Sequence, residues 1–128
     1  MIGRAAIIVA ALAMVACSTP HDLARADIVA GTNEPFHSVE IRGDEARLTS
    51  LCASPRRLRV TRRETMADGA VIDAADAEGT LRLLLSETPC EDDMSGAAFP
   101  LTATLTLDGR SHRGCARRRS DPAPRPIG

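Results

Sequence analysis

Strict alternation of apolar and polar residues is the clearest pattern in the chain. Between positions 101 and 107, leucine or alanine occupies every second position and threonine the positions between. A period of two places all the apolar side chains on one face, which predicts an amphipathic β-strand. Asp108-Gly109 follows, a dipeptide favoured in two-residue turns because both positions accept a positive φ. The pattern therefore predicts a β-hairpin in which residues 110–116 form the returning strand.

Similar but shorter patterns occur earlier in the chain. A second hairpin is predicted where residues 38–41 and 46–51 flank the turn sequence Arg42-Gly43-Asp44. Apolar residues at every second position predict two further short strands, one at residues 58–60 and one at residues 81–85.

One segment, residues 70–77, fits two structures. It is rich enough in alanine for a helical turn, yet its start, Ala70-Val71-Ile72, also suits a strand. With six or seven short strands in total, the predicted fold class is mostly β. The expected architecture is a small antiparallel β-sandwich or barrel, preceded by an N-terminal signal helix and a flexible tether.

The first 17 residues follow a different pattern. Arg4 precedes 12 residues, Ala5 to Ala16, that have no polar side chain, and Cys17 comes next. A basic start, a short apolar stretch and a small residue before the break are typical of a secretory signal peptide. As a helix the stretch would span about 18 Å, which is short of a ~30 Å hydrocarbon core. Residues 1–16 are therefore predicted to be a signal peptide, the alternative being an uncleaved N-terminal anchor.

The end of this segment, Met14-Val15-Ala16-Cys17, resembles the lipobox of bacterial lipoproteins. The resemblance implies that Cys17 is acylated, with palmitate as one expected chain, and becomes the first residue of the mature protein. Two or more acyl chains give stable membrane anchoring. The expected location is the bacterial cell envelope, on a membrane and facing the periplasm. Ser18 is compatible with sorting to the outer membrane, which is favoured over the inner membrane.

The remaining sequence divides into three parts. Residues 17–35 are polar, mixed in charge and without sustained periodicity, which predicts a flexible tether. Residues 117–128 contain three prolines and four arginines, which predicts a disordered tail. Residues 36–116 are predicted to form one small domain. A core of this size gives only about 3–5 kcal/mol of stability, so a disulfide is expected to close the domain.

If Cys17 is acylated, three cysteines remain and three single disulfide pairings are possible. Export implies an oxidising compartment, where cysteines tend to pair. The Cys90–Cys115 pairing is favoured, because Cys115 lies on the returning strand of the predicted hairpin and Cys90 begins the loop that leads into it. Cys52 is then predicted to be a buried thiol, with an exposed intermolecular partner as the alternative.

Composition argues against two classes of function. Without residues 1–16 the chain has 15 arginines, no lysine and 17 acidic residues, a net charge of −2. Two phenylalanines are the only residues of the Phe, Tyr and Trp class. The chain therefore lacks the aromatic side chains that stack on bases, and nucleic acid is not an expected partner.

The motifs G-x-S-x-G, H-E-x-x-H and a glycine-rich phosphate loop do not occur. The protein is therefore predicted not to be an enzyme and to need no cofactor.

Short motifs near the end of the chain resemble those of a family of uncharacterised bacterial envelope lipoproteins. That family carries C-x-D-G-M-S, then a Tyr/Phe-Pro pair and then G-C-A. This chain has Cys90-Glu91-Asp92-Asp93-Met94-Ser95, Phe99-Pro100 and Gly114-Cys115-Ala116. Residues 35–40 resemble the family's opening strand. His37 stands where tryptophan is usual and Asp93 where glycine is usual. The resemblance implies an envelope lipoprotein and gives no specific activity.

The motif also contains a candidate recognition loop made of Glu91, Asp92, Asp93, Met94 and Ser95. One interpretation is an Asx-type turn in which Asp92 accepts hydrogen bonds from the backbone of the next residues. The other is a cation site or a surface that recognises a basic partner. The stretch has fewer oxygen ligands than a calcium loop requires.

A candidate polyanion patch consists of five arginines within eight residues: Arg56, Arg57, Arg59, Arg62 and Arg63. Together with residues 117–119 they would suit anionic lipid headgroups or another polyanion. The favoured alternative is a solvated strand face on which the arginines pair with acids such as Glu64 and Asp68.

His112 raises the question of a metal site, since Cys90, Asp92 and Cys115 would be suitable zinc ligands. The spacing matches no standard zinc finger, and the expected disulfide uses both cysteines, so no metal site is predicted. His112 is instead expected to be an exposed residue of a strand.

The expected function is that of a lipid-anchored, non-catalytic envelope protein that acts through binding or envelope maintenance. Its expected partners are the membrane, through acylated Cys17, and an unknown envelope protein or polyanion. One alternative is an inhibitor of host lysozyme, because small disulfide-closed lipoproteins of this format resemble membrane-bound lysozyme inhibitors and the acidic loop would complement a cationic enzyme. Another is a binder of anionic lipid or another polyanion through the arginine cluster.

Overall fold

A computed structural model of the chain describes Gly3 and residues 22–125. The fold is mostly β, as predicted, and its centre is a closed antiparallel barrel of eight strands. In chain order the strands are β1 (Ile28–Asn33), β2 (Phe36–Arg42), β3 (Glu45–Ser50), β4 (Arg56–Met66), β5 (Gly69–Ala75), β6 (Thr80–Ser86), β7 (Cys90–Glu91), β8 (Ala98–Phe99), β9 (Leu101–Leu107) and β10 (Arg110–Arg118). The two short strands β7 and β8 pair only with each other, and a 3₁₀ helix, Leu23–Arg25, precedes β1.

The order of the barrel strands is almost the order of the sequence. Each strand pairs with the next, β6 pairs with β9 across the β7–β8 hairpin, and β1 pairs with β10 to close the barrel. Since consecutive strands run in opposite directions, the connecting turns alternate between the two ends of the barrel.

Aliphatic side chains fill the barrel interior. The largest of them, all almost fully buried, are Ile28, Val39, Ile41, Leu58, Ile72, Leu81, Leu83, Leu85, Leu101 and Leu105. An eight-stranded barrel is just wide enough for side chains to fill it, so these residues form the hydrophobic core. Most charged side chains consequently lie at the barrel ends and on the outer face.

Both predicted hairpins are confirmed. Asp108 and Gly109 have φ angles of 48° and 87°, the two positive values that a type I′ turn requires. The turn between β2 and β3 is Gly43-Asp44, with Gly43 at a φ of 55°. Of residues 70–77, where helix and strand were both open, residues 70–75 belong to strand β5, and the alternate residues Ala70, Ile72 and Ala74 are buried in the barrel.

The predicted tether is wrong for most of its length. Residues 23–25 form the 3₁₀ helix, and β1 pairs with β2 on one side and β10 on the other. The inward side chains of β1 include Ala30 and Thr32, which are too small or too polar to produce a clear apolar period. Both are buried nevertheless, because closure of the barrel encloses this strand on both edges.

The predicted boundary at residue 117 is also too early. Arg117 and Arg118 extend β10 and lie opposite Val29 and Ile28 of β1. The domain therefore includes the 3₁₀ helix at one end of its sequence and Arg118 at the other. The described residues do not include Cys17, the predicted acylation site, or residues 18–21. Of the predicted signal peptide they include only Gly3, and they end before the last three residues of the predicted tail. No helix in the described part of the chain is long and apolar enough to span a membrane.

One end of the barrel, here called the helical end, is closed by the 3₁₀ helix, which packs against β4 and β5. A bulge in β4 shifts its alternation and turns Arg63 toward this helix. The Arg63 guanidinium donates hydrogen bonds to the carbonyl oxygens of Ala24 at 2.7 Å, Ala26 at 3.2 Å, and Gly43. These charge-assisted bonds satisfy backbone acceptors at the helical end.

Candidate functional site

The predicted disulfide between Cys90 and Cys115 is confirmed, with a Cα–Cα distance of 5.5 Å. Ala116 points into the core, so its neighbour Cys115 points to the outer face of β10. Cys115 is nevertheless only 6% exposed. Residues 87–100, here called the insertion, cover it and carry the β7–β8 hairpin. The disulfide therefore fixes the insertion to the barrel wall.

Asp92 organises the turn of the insertion. Its Oδ2 accepts hydrogen bonds from the backbone N–H of Ser95 at 2.8 Å and from the Ser95 hydroxyl at 2.6 Å. Its Oδ1 accepts a bond from the Asn33 side chain at 2.7 Å. The bonds from Ser95 and then from Asn33 lower the pKa of Asp92. The Asx-type turn is thus observed, and Asp92 also connects the insertion to β1.

Asp93 occupies the position where glycine is usual in the lipoprotein family that the sequence resembles. Left-handed backbone at this position would have been costly for aspartate. Among the described residues other than glycine, only Cys52 and Asp108 have a positive φ. The left-handed conformation in the insertion falls instead on Gly96, with a φ of 67°. Aspartate therefore fits position 93 without backbone strain.

The insertion and the neighbouring strands enclose a groove of about 690 Å³. Its floor and walls include Asn33, Glu34, Glu91, Asp92, Asp93, Met94 and Arg113. Three of its acids, Glu34, Glu91 and Asp93, are exposed, and Met94 is 76% exposed. Four carboxylates against one guanidinium give the groove, here called the acidic groove, a negative potential.

The structure brings four of the five residues of the candidate recognition loop into the acidic groove, with Ser95 supporting the turn behind them. Sequence reasoning missed Glu34 and Arg113 as members. Arg113 lies two residues before Cys115 on a strand and so shares its outward face, a signal that was present in the sequence. Glu34 had no such signal, because it follows the unpredicted strand β1.

The five clustered arginines do not form one surface, contrary to the candidate polyanion patch. Arg63 belongs to the helical end, and Arg56 lies on the inward side of β4 at the opposite end. Arg56 donates to both carboxylate oxygens of Asp76 at 2.8 and 2.9 Å and to Asp108 at 3.0 Å. The hydrogen bond from Arg56 lowers the pKa of Asp76 to about 2, and that bond raises the pKa of the guanidinium. Arg56 thereby links two turns of the barrel.

The other three arginines of the cluster are on the outer face of β4, among acids. Arg57 lies 3.6 Å from Glu45, and Arg62 forms an ion pair with Glu64. Arg59 is exposed and lies opposite Glu45 in the strand register. The alternative of a solvated face with paired charges describes this surface, although Glu45 replaces the predicted Asp68 as a partner.

A pair of histidines lies at the end of the barrel opposite the 3₁₀ helix, here called the histidine end. His112 was expected to be exposed, but it is half-buried, because its place opposite Leu105 directs it inward. The rings of His37 and His112 have centroids 5.3 Å apart and an angle of 44° between their planes. Nδ1 of His37 is 2.6 Å from the hydroxyl oxygen of Ser50, its partner in the β2–β3 register.

The environment of His37 favours the neutral ring. Burial, and then repulsion from His112, lowers the pKa of His37. The pair has no signal in the sequence, because the two residues are 75 positions apart and meet only when β1 joins β10 to β2. The metal set considered from sequence is not assembled, since Cys90 and Cys115 form the disulfide while His112 faces the barrel interior.

The prediction that Cys52 is buried is wrong. Its thiol is free and exposed, in the loop between β3 and β4. Residues 46–51 were predicted to form one strand, but the strand ends at Ser50, and Leu51 is 73% exposed. Cys52 itself has a φ of 61°, which is compatible with a tight loop and not with a strand.

Comparisons of the chain with protein-family models, curated proteins and solved structures find no match. The resemblance to envelope lipoproteins therefore stays an expectation that rests on the motifs at residues 35–40 and 90–116.

Proposed function

We propose that this chain is a lipid-anchored, non-catalytic protein of the bacterial envelope that binds a basic protein in its acidic groove. The observation that carries the proposal is the insertion, which is fixed by a disulfide and presents exposed carboxylates beside the exposed side chain of Met94. The anchor is acylated Cys17, expected from the lipobox resemblance.

Three features order the groove before any partner arrives. The disulfide fixes one side of the insertion, the bond from Asn33 to Asp92 fixes the other, and the Asx-type turn sets the backbone between them. A loop that is already ordered loses less conformational entropy on binding. Rigid presentation of the groove is therefore suited to recognition.

The chemistry of the groove indicates the class of partner. Exposed carboxylates steer and select a positively charged surface, and this contribution weakens as salt is added. Met94 adds a flexible apolar contact of the kind found on adaptable binding surfaces. A basic protein with an apolar residue at its contact surface matches both properties.

The groove is tested with two basic proteins as probes, c-type lysozyme and cytochrome c, against the full-length chain in detergent. The double variant Glu91→Gln/Asp93→Asn should weaken binding at least about tenfold, and added salt should weaken wild-type binding. The matched control, Glu45→Gln/Glu64→Gln, removes two exposed acids from β3 and β4 and should leave affinity within about twofold. Equal loss in both double variants would show that net charge, and not the groove, causes binding; binding to neither probe would overturn the proposal.

The anchor is tested separately by fractionation of cells that express Cys17→Ala. The wild-type chain should be in the membrane fraction, and the variant should not be, because it lacks the acylated residue. A variant that remains fully membrane-bound at the mature size would contradict lipid anchoring.

Inhibition of host lysozyme is a second candidate, favoured by the same acidic groove because lysozyme is a cationic enzyme. Lysozyme activity should then fall with stoichiometric amounts of the full-length chain and recover with Glu91→Gln/Asp93→Asn. Unchanged lysozyme activity in excess protein would reject this candidate and leave the wider proposal of basic-protein binding intact.

Binding of anionic lipid or another polyanion has less support, because only Arg57, Arg59 and Arg62 of the predicted cluster lie on the outer face and acids alternate with them. It would require salt-sensitive binding to phosphatidylglycerol vesicles that Arg57→Gln/Arg59→Gln weakens. Binding that this variant leaves unchanged would reject it.

A further inference from the structure

The histidine end contains two imidazoles that neither the acidic groove nor the core explains. His37 and His112 come from different strands, β2 and β10, and both point inward at the same end of the barrel. Imidazole is a strong ligand for zinc and copper ions. One ion can bind to both rings only if their separation suits two metal–nitrogen bonds.

The required separation follows from simple geometry. A metal–nitrogen bond of about 2.0–2.1 Å places the ion about 3.2 Å from the ring centroid, so two imidazoles at a tetrahedral angle have centroids about 5.2 Å apart. The centroids of His37 and His112 are 5.3 Å apart. The backbone therefore already holds the two rings at a separation that suits a shared ion.

Ser50 provides the support that metal-binding histidines usually have. A ligating imidazole almost always donates its other N–H to an oxygen, which fixes the orientation and tautomer of the ring. In the tautomer protonated at Nδ1, the 2.6 Å contact between His37 Nδ1 and the Ser50 hydroxyl oxygen provides this partner and leaves Nε2 of His37 for the ion.

From this geometry we propose that His37 and His112 together bind a divalent transition-metal ion, Cu²⁺ more tightly than Zn²⁺, at the histidine end of the barrel. The order of the two ions follows from the general affinity series for nitrogen ligands. Among the described residues there is no cluster of three or more His, Cys, Asp and Glu side chains suited to a metal. Water or a group from a bound molecule completes the coordination, so the ion exchanges readily.

The test uses the protein as cells produce it, solubilised in detergent and purified without a polyhistidine tag. Cu²⁺ and Zn²⁺ are titrated separately against the wild type and against His37→Gln and His112→Gln. The matched control is His21→Gln, which removes the third histidine of the chain. Each of the first two variants should weaken Cu²⁺ binding at least about tenfold, since each removes one of two protein ligands. The control should stay within about twofold of the wild type.

Two further measurements make the result specific. The electron paramagnetic resonance spectrum of the Cu²⁺ complex should show coupling to two imidazole nitrogens in the wild type and to one in each single variant. Ser50→Ala should weaken binding by roughly tenfold, because the orienting partner of His37 is lost. If a histidine variant fails to fold, proton NMR of the wild type decides, since Cu²⁺ should broaden the ring signals of His37 and His112 before those of His21.

Some outcomes would overturn the proposal. Affinity that is unchanged in His37→Gln or in His112→Gln would exclude a shared site. Affinity that is lost in His21→Gln would place the ion elsewhere, and so would loss in Cys52→Ser, which removes the exposed thiol.

Discussion

Removal of the disulfide should cost this domain a large part of its stability. The double variant Cys90→Ala/Cys115→Ala opens a loop whose ends are separated by 25 positions in the sequence. In the chain-entropy model, a closed loop of this length restricts the unfolded chain by about 3.5 kcal/mol at 25 °C. Small domains are stable by only about 5–15 kcal/mol in total. The variant should therefore fold, but with a markedly lower free energy of unfolding.

Equilibrium unfolding in urea, followed by far-ultraviolet circular dichroism, measures this difference on the full-length chain in detergent. The m-value should rise in the double variant, because the unfolded chain without the cross-link exposes more surface. Cys52→Ala is the matched control. Its thiol is exposed and free, so its replacement should change the free energy of unfolding by no more than about 0.5 kcal/mol.

A loss below about 1 kcal/mol in the double variant would refute the loop-entropy argument. It would mean that the unfolded chain is already restricted near the insertion or that relief of native strain offsets the lost cross-link. An unchanged m-value would identify the first of these explanations.

Three further predictions test the packing of the core, the close contact between β1 and β10 in the barrel wall, and the loss of stability at acid pH. Leu83→Ala should cost about 2–5 kcal/mol in urea unfolding, because Leu83 is fully buried, whereas Leu84→Ala, at a position 40% exposed, should cost under about 0.5 kcal/mol. Gly114→Ala should lower the free energy of unfolding by about 1–3 kcal/mol, because the added Cβ would lie 1.9 Å from the Gly31 carbonyl oxygen. The control Gly31→Ala should be tolerated, because the atom nearest to its added Cβ is at an ordinary 3.5 Å. Hydrogen bonds lower the pKa of Asp92 below its value in the unfolded chain. The stability that they contribute is therefore present above about pH 4 and is lost as the pH falls through the folded pKa. Asp92→Asn should flatten stability against pH in that acid range, and a profile as steep as that of the wild type would contradict the assignment.

The sequence predicted those parts of the fold that local chemistry determines. The β9–β10 hairpin follows from strict alternation and from Asp108-Gly109, both of which act within a few residues. The disulfide follows from the position of that hairpin. The acidic loop was also visible, because its carboxylates are consecutive and the residues after Cys90 are constrained by their own turn.

The parts that failed depend on contacts between distant segments. β1 has a weak apolar period and becomes a buried strand only because it joins the two edges of the sheet. The arginine cluster suggested one surface, but the bulge in β4 changes the alternation and sends Arg63 to the helical end. The histidine pair needs the completed barrel, since no local pattern relates position 37 to position 112.

The acidic groove and the histidine pair meet at one structural element, the turn between β1 and β2. On the outer side of this turn, Asn33 bonds to Asp92 of the insertion, and on the inner side Thr32 lies opposite His37. A substitution in the turn would therefore disturb both sites and could not distinguish them. Glu91→Gln/Asp93→Asn and His37→Gln each change one site and leave the turn intact.

These variants allow a test of whether the two sites are linked. The affinity for the basic probe is measured on the full-length chain with and without saturating Cu²⁺, and again in His37→Gln. If the shared turn transmits an effect, Cu²⁺ should change the affinity of the wild type but not of the variant. If Cu²⁺ changes the affinity for the probe by a given factor, the bound probe must change the affinity for Cu²⁺ by the same factor. Identical probe affinities in all three conditions would show that the turn supports two independent sites.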